Sequence, residues 1–137
     1  MVAIVDTKKE SIFRAVSAMY TDVATCPARA FHFPTGRPAC EYVGYPKAQL
    51  DAIPATASES FAGVGYPFAV GAIQQGDRVL DIGSGSGTDV LIASLLVGSN
   101  GNVFGLDMTP AMLEKARANA ATMGGVELGP RFLRRTP

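Results

Sequence analysis

The chain has 137 residues, a length typical of one domain, and 47% of them are apolar, which is enough to form a modest core. Twelve basic and twelve acidic side chains cancel, so no global field draws the chain to nucleic acid or to an anionic membrane surface. The longest apolar run, residues 90–97, is far shorter than the roughly 20 residues of a membrane-spanning helix, and no charged and apolar leader opens the sequence. We therefore expect a globular, cytoplasmic protein without nucleic-acid or membrane partners.

Residues 1–75 are predicted to form an N-terminal arm of helices and loops. Residues 7–10 have the spacing of a capping box, so a short amphipathic helix is expected after them. Its predicted apolar face consists of Ile12, Ala15, Val16 and Met19. Prolines and a glycine predict an ordered loop over residues 26–38. Further short helices are expected over residues 47–53 and near residues 58–61, before a turn at Gly63 and Gly65.

Two side chains of the predicted loop allow a structural or a functional interpretation. His32, the only histidine, lies between two phenylalanines and is expected to pack there, although histidine can also accept a proton near neutral pH. Arg37 is expected to form a salt bridge with Glu41 or Asp51, and binding of a substrate anion is the alternative.

The most informative segment is an apolar strand that runs into a loop with glycine at every second position. The strand covers residues 79–82, and Gly83, Gly85 and Gly87 follow it. Glycines let a ligand approach the backbone and supply positive φ angles, and the N–H groups of the next helix face the anionic part of a ligand. That helix is predicted over Thr88–Val97, buried on most sides.

A second apolar strand, Asn102–Asp107, ends on a carboxylate. A right-handed crossover places Asp107 beside the glycine loop at the same edge of a parallel sheet, where an acid can accept hydrogen bonds from ribose hydroxyls. The alternative is an ordinary glycine-rich turn, with Asp107 capping the next helix. A nicotinamide-binding module is a weaker alternative, because the spacing here is G-x-G-x-G rather than G-x-G-x-x-G.

The segment after Asp107 predicts one more helix and the start of a third strand. Thr109 is the expected N-cap and Pro110 the first helical residue, and the helix is expected to end at residues 124–125. Its predicted apolar face consists of Met112, Leu113, Ala116 and Ala120. A third strand is expected to begin over residues 126–128. The basic residues Arg131, Arg134 and Arg135 are expected in a solvated tail rather than in a phosphate site.

Taken together, Asp81-x-Gly83-x-Gly85-x-Gly87 and residues 105–110 resemble motif I and the acidic post-I motif of class I S-adenosylmethionine-dependent methyltransferases. Residues 96–109 are similar to the arsenite methyltransferase-like branch, in which an N-terminal arm precedes the methyl-donor domain. The resemblance implies an α/β fold, a partial Rossmann-like parallel sheet, with the arm over residues 1–75 and an incomplete donor-binding half-domain over residues 76–137.

The same resemblance implies that the cofactor is S-adenosylmethionine and suggests how it is held. Asp81 and the loop residues Gly83, Ser84, Gly85 and Gly87 would hold its methionine end. Asp107 would accept the ribose hydroxyls, and Met108 would lie against the adenine.

The implied function is methyl transfer to a small-molecule acceptor by in-line displacement, with no catalytic residue identified. A complete domain of this family continues through several more strands, including the acceptor site. The alternative is therefore a truncated, non-catalytic nucleoside-binding half-domain that completes its sheet by self-association, for example as a homodimer.

Arsenite as the acceptor depends on thiols. Cys26 and Cys40 are either reduced thiols without a special role or soft ligands for trivalent arsenic. The arsenite methyltransferases carry a further cysteine in a Gly-Cys-Gly-x-Pro segment, where this chain has Val64. No metal site is predicted.

Overall fold

A computed structural model describes residues 2–123 and 131–134. The helices are α1 (Val2–Thr25), α2 (Gly36–Tyr42), α3 (Lys47–Asp51), α4 (Ala55–Ser58), α5 (Thr88–Val97) and α6 (Pro110–Thr122), and the strands are β1 (Arg78–Ile82), β2 (Asn102–Asp107) and β3 (Arg131–Arg134). A 3-10 turn covers Pro67–Val70. Within the described ranges, no helix is long and apolar enough to cross a membrane.

The three strands form one parallel sheet in the order β1-β2-β3. Asp81 lies beside Gly105 and Ile82 beside Leu106, so β1 and β2 end at the same edge. The predicted α/β fold is confirmed, and α5 and β2 have the predicted bounds. The end of β2 therefore lies next to the loop that follows β1.

The carboxyl-terminal part differs from the prediction where it is described. The strand expected over residues 126–128, the helix end expected at residues 124–125, and Arg135 lie outside the described residues. The backbone of Arg131 and Arg134 lies in β3, which pairs with β2, so these two residues belong to a strand and not to the expected tail. Backbone pairing with a neighbouring strand overrides the charge pattern there.

The arm is more helical than predicted. Helix α1 begins before the capping box, and its predicted apolar face is wrong at Ile12, which is 56% exposed. The carboxyl-terminal part of α1 packs against α6, where Val23 and Ala24 lie in one core cluster with Met112. Helix α2 was not predicted, and the helix expected over residues 58–61 lies at Ala55–Ser58 instead.

Helix α5 lies between the arm and the sheet. On one side Leu91 and Ile92 pack with the arm, in a core that includes Cys40 and Leu50. On the other side Val90 and Val97 pack with Val103 of β2 and with Leu113 and Ala116 of α6. Both cores therefore share one helix, which explains its nearly uniform apolar character.

A group of mostly buried hydrogen bonds joins the arm to the glycine loop, and we call it the Ala57 junction. The Ala57 carbonyl oxygen accepts hydrogen bonds from the hydroxyls of Ser86 at 2.6 Å and Thr88 at 2.9 Å. Asn119 donates from Nδ2 to the Ser86 carbonyl at 3.0 Å and accepts at Oδ1 from the Thr56 hydroxyl. The arm, the loop and α6 are thus connected through polar groups that are largely shielded from water.

The Ala57 junction predicts that Asn119→Ala destabilises the fold. The substitution leaves the buried Ser86 carbonyl without its donor, which costs about 1–3 kcal/mol of unfolding free energy. Glu114→Ala is the control, because Glu114 is an exposed polar residue of the same helix and its replacement should change stability by less than about 0.5 kcal/mol. Equilibrium denaturation measures both, and equal stability of the two variants would show that the junction does not hold the arm.

Candidate functional site

A cavity of about 340 Å³ lies where β1 and β2 end. The glycine loop forms its floor through residues 83–86, and the end of β2 contributes Asp107 and Met108. The arm forms the opposite wall, with Val16 and Tyr20 from α1 and with residues 60–63. The site therefore requires both the arm and the β-α-β unit.

Backbone hydrogen bonds hold the glycine loop in place. The N–H groups of Gly83 and Ser84 both donate to the Leu106 carbonyl, at 2.7 and 3.1 Å. Gly85 has a φ of 53°, a conformation that strongly favours glycine, and a Cβ built there would lie 4.0 Å from the Met112 sulfur. Backbone conformation, rather than crowding by protein atoms, therefore requires glycine at this position.

Asp107 binds the backbone on two sides. Its Oδ2 accepts from the Gly85 N–H at 2.9 Å, and its Oδ1 accepts from the Thr109 N–H at 2.7 Å. Asp107 therefore does help to begin α6, as the alternative interpretation proposed, and it also borders the cavity. A carboxylate has about four acceptor sites, so about two remain for a ligand.

The other predicted site residues differ in their placement. Met108 and Ser84 border the cavity, and the Ser84 hydroxyl is buried without a hydrogen-bond partner among the described atoms. Gly87 is the N-cap of α5 and does not border the cavity. Asp81 also lies outside the cavity lining, and its pKa is raised to about 6 by burial and then by the charges of Asp89 and Asp107.

The sequence did not predict the cavity wall formed by the arm, nor two polar residues at the site, Asp89 and Tyr45. Asp89 borders the cavity from the first turn of α5, and the Tyr45 hydroxyl donates a hydrogen bond to its Oδ1. Burial raises the pKa of Asp89, while the hydrogen bond from Tyr45 lowers it. A lone carboxylate in an otherwise apolar helix could have identified Asp89, whereas nothing local identifies Tyr45.

The remaining candidates lie away from the cavity. Cys40 is fully buried, and burial raises the pKa of its thiol to about 12, so this residue does not fit the hypothesis of a thiolate ligand. Cys26 is exposed, and no three His, Cys, Asp or Glu side chains in the described ranges form a metal-binding group. His32 is exposed with its ring edge against Phe33, and Arg37 forms the expected salt bridges with Glu41 and Asp51.

The part of the chain that contains the glycine loop and Asp107 is similar to known proteins. A family model described as a methyltransferase domain matches residues 73–127. The chain is 42% identical over 81 residues to an arsenite methyltransferase of Halobacterium salinarum, covering 59% of this chain and 20% of that protein. It is 51% identical over 41 residues to the arsenite methyltransferase of Rattus norvegicus, covering 30% of this chain and 11% of that protein.

A solved structure agrees with these sequence matches. It is an arsenic (III) S-adenosylmethionine methyltransferase from Chlamydomonas reinhardtii, 38% identical, with a TM-score of 0.56 over 66% of this chain and 31% of that one. The chain thus spans a fifth or less of the two curated relatives named above.

The raised pKa of Asp81 predicts a dependence of stability on pH. Because the folded-state pKa of about 6 exceeds the ordinary 3.8, the stabilisation from this group is complete below about pH 4 and is lost as pH rises through 6. Asp81→Asn should therefore unfold with about 1–3 kcal/mol more free energy than the parent at pH 7.5 and with a flatter profile between pH 4 and 7. Glu114→Gln, at an exposed position of α6, is the control and should leave the free energy of unfolding at pH 7.5 unchanged within about 0.5 kcal/mol. Equilibrium denaturation over this pH range measures the free energy of unfolding of each variant. An Asp81→Asn variant less stable than the parent at pH 7.5 would contradict a raised pKa for Asp81.

Proposed function

We propose that the chain, through residues 73–127, is a class I S-adenosylmethionine-dependent methyltransferase similar to the arsenite methyltransferases. Its cavity would then bind S-adenosylmethionine for methyl transfer to a small acceptor. The observation that carries the proposal is the position of Asp107, a cavity-lining carboxylate hydrogen-bonded to the glycine loop. A carboxylate with free acceptor sites beside such a loop suits a ribose diol.

The chain's own residues fit the cofactor along the length of the cavity. Asp107 would bind the ribose hydroxyls, and the Met108 thioether would lie against the adenine. Gly83, Ser84 and Gly85 would hold the methionine end, whereas Gly87 and Asp81 lie outside the cavity lining and would contribute only through the shape of the loop. The orphan Ser84 hydroxyl supports this assignment, because a ligand with polar groups there would satisfy it.

The proposed contribution of the chain to catalysis is positioning. When bound, S-adenosylmethionine supplies an electrophilic methyl group on a sulfonium centre. The loop and Asp107 orient the donor, and the arm wall of Val16, Tyr20 and Phe61 shields that side of the cavity from water. Alignment of donor and acceptor in line is the main requirement of such a displacement.

The names of the relatives favour arsenite as the acceptor. Against a thiol-based arsenite site stand the buried Cys40 and the residue at position 64, where Val64 is 99% exposed. We assign residues 1–75 to the arm, residues 76–137 to the donor-binding unit and the cytoplasm as the location.

A second candidate function is nucleoside binding by a self-associated chain without methyl transfer. One observation favours it: the sheet face opposite α5 and α6 exposes Leu80, Ile82 and Leu133 at 58%, 70% and 53%. Ile82 and Leu133 lie in one row across the sheet through Leu106, so together they form an apolar surface that a second copy could cover.

The donor-binding proposal predicts that Gly85→Val abolishes binding of S-adenosylhomocysteine in calorimetric titration. A β-branched side chain is strained at this φ and projects toward the cavity. Gly71→Val is the matched control, because Gly71 has a φ of 63° and open space around it but does not border the cavity. Both variants should lose stability, and only Gly85→Val should lose the ligand. Parental affinity in Gly85→Val would refute the proposed binding of the ligand by the glycine loop.

Asp107 is a less specific target for such a test, because replacing it also frees two backbone N–H groups.

The self-association candidate predicts a dimer in light scattering that Leu80→Glu converts to a monomer. A charge on the exposed sheet face would have to be desolvated in the dimer. Leu95→Glu tests the specificity of the effect, because Leu95 is 51% exposed on α5, and this variant should remain dimeric. A monomeric parent chain with donor-dependent turnover would exclude this candidate.

A further inference from the structure

Asp89 is a cavity residue that the donor motifs do not use. It follows the glycine loop in the first turn of α5 and borders the cavity, whereas Asp81, the carboxylate of the motif, does not. Its Oδ1 accepts the Tyr45 hydroxyl, and no described donor contacts its Oδ2. One carboxylate oxygen is therefore held by the arm while the other remains available.

The composition of the cavity wall favours a cationic group at this point. Among the described lining residues the charged side chains are Asp89 and Asp107, and there is no lysine, arginine or histidine. Asp107 already binds two backbone N–H groups, so Asp89 is the less neutralised of the two. The unpartnered hydroxyl of Ser84, buried in the loop of the same cavity, is a second polar group without a protein partner.

We propose that Asp89, positioned by Tyr45, binds the α-ammonium group of the amino-acid end of the nucleoside ligand, while the Ser84 hydroxyl donates to the carboxylate of that end. The inference rests on the proposed function. It makes Asp89 a specificity-determining residue and Tyr45 a positioning residue, since the hydroxyl of Tyr45 restricts the rotation of the carboxylate. It also gives the arm a role in ligand recognition, because Tyr45 belongs to the arm.

The test compares S-adenosylhomocysteine with 5′-methylthioadenosine, a nucleoside thioether that lacks the amino-acid end. Asp89→Asn keeps one oxygen acceptor for Tyr45, removes the charge and replaces the second oxygen by an NH2 group, which cannot accept a hydrogen bond from an ammonium group. This variant should bind S-adenosylhomocysteine with an affinity lower by roughly tenfold to a hundredfold, which is the effect of losing a hydrogen bond between charged groups. Its affinity for 5′-methylthioadenosine should be unchanged. Tyr45→Phe should lower the ratio of the affinity for S-adenosylhomocysteine to that for 5′-methylthioadenosine, but by less than Asp89→Asn does. Asp51→Asn should leave this ratio at the parental value.

The outcomes separate the inference from the proposed function. If the parent chain binds both ligands and Asp89→Asn keeps the parental affinity ratio, including the case in which both affinities fall equally, the inference is wrong while donor binding stands. If the parent chain binds neither ligand, the proposed function fails and the inference fails with it. A selective loss of S-adenosylhomocysteine in Asp89→Asn, with Tyr45→Phe intermediate, supports the inference, because a merely structural role would affect both ligands.

Discussion

The carbonyl oxygen of Ala57 is the acceptor on which the site depends. It receives the hydroxyls of Ser86 and Thr88, which flank the start of α5, and so fixes a short arm helix against the glycine loop. Without the arm the loop would border solvent rather than a cavity, because the opposite wall is supplied by the arm. Hydrogen bonds of this kind contribute only about 1 kcal/mol each, so their importance lies in geometry. They hold two parts of the chain that are distant in sequence next to the same cavity.

Electrostatics at the site oppose folding. Asp81, Asp89 and Asp107 lie near one another in a partly dry environment, and burial raises the pKa of the first two. For Asp81 burial is the larger cause and its two carboxylate neighbours are the smaller ones. No basic side chain in the described lining offsets these charges. An unfavourable arrangement of this kind is typical of binding sites, where the ligand supplies the missing charge.

Much of the β-α-β unit was predictable because its signals are local. Glycine at positions 83, 85 and 98, proline at position 110 and two apolar runs mark the ends of β1, α5 and β2 and the start of α6 within a residue or two. The arm was predicted less well. Helix α2 has a glycine and a proline in its first turn, which are poor helix signals. Its stability comes from the burial of Ala39 and Cys40 in the core between the arm and α5.

The sequence by itself determined the order of strand, glycine loop, helix, strand and acid, because steric and capping preferences act between residues that are close along the chain. It also determined that Asp107 lies beside the loop, because parallel strands joined by a helix end at one edge. Only the tertiary structure decided that Asp89 and Asp107 border the cavity whereas Asp81 does not. The contact of Tyr45 with Asp89 joins residues 44 positions apart. Such a contact depends on how the arm packs across α5, and packing across a core leaves no periodic or spacing signal in the sequence.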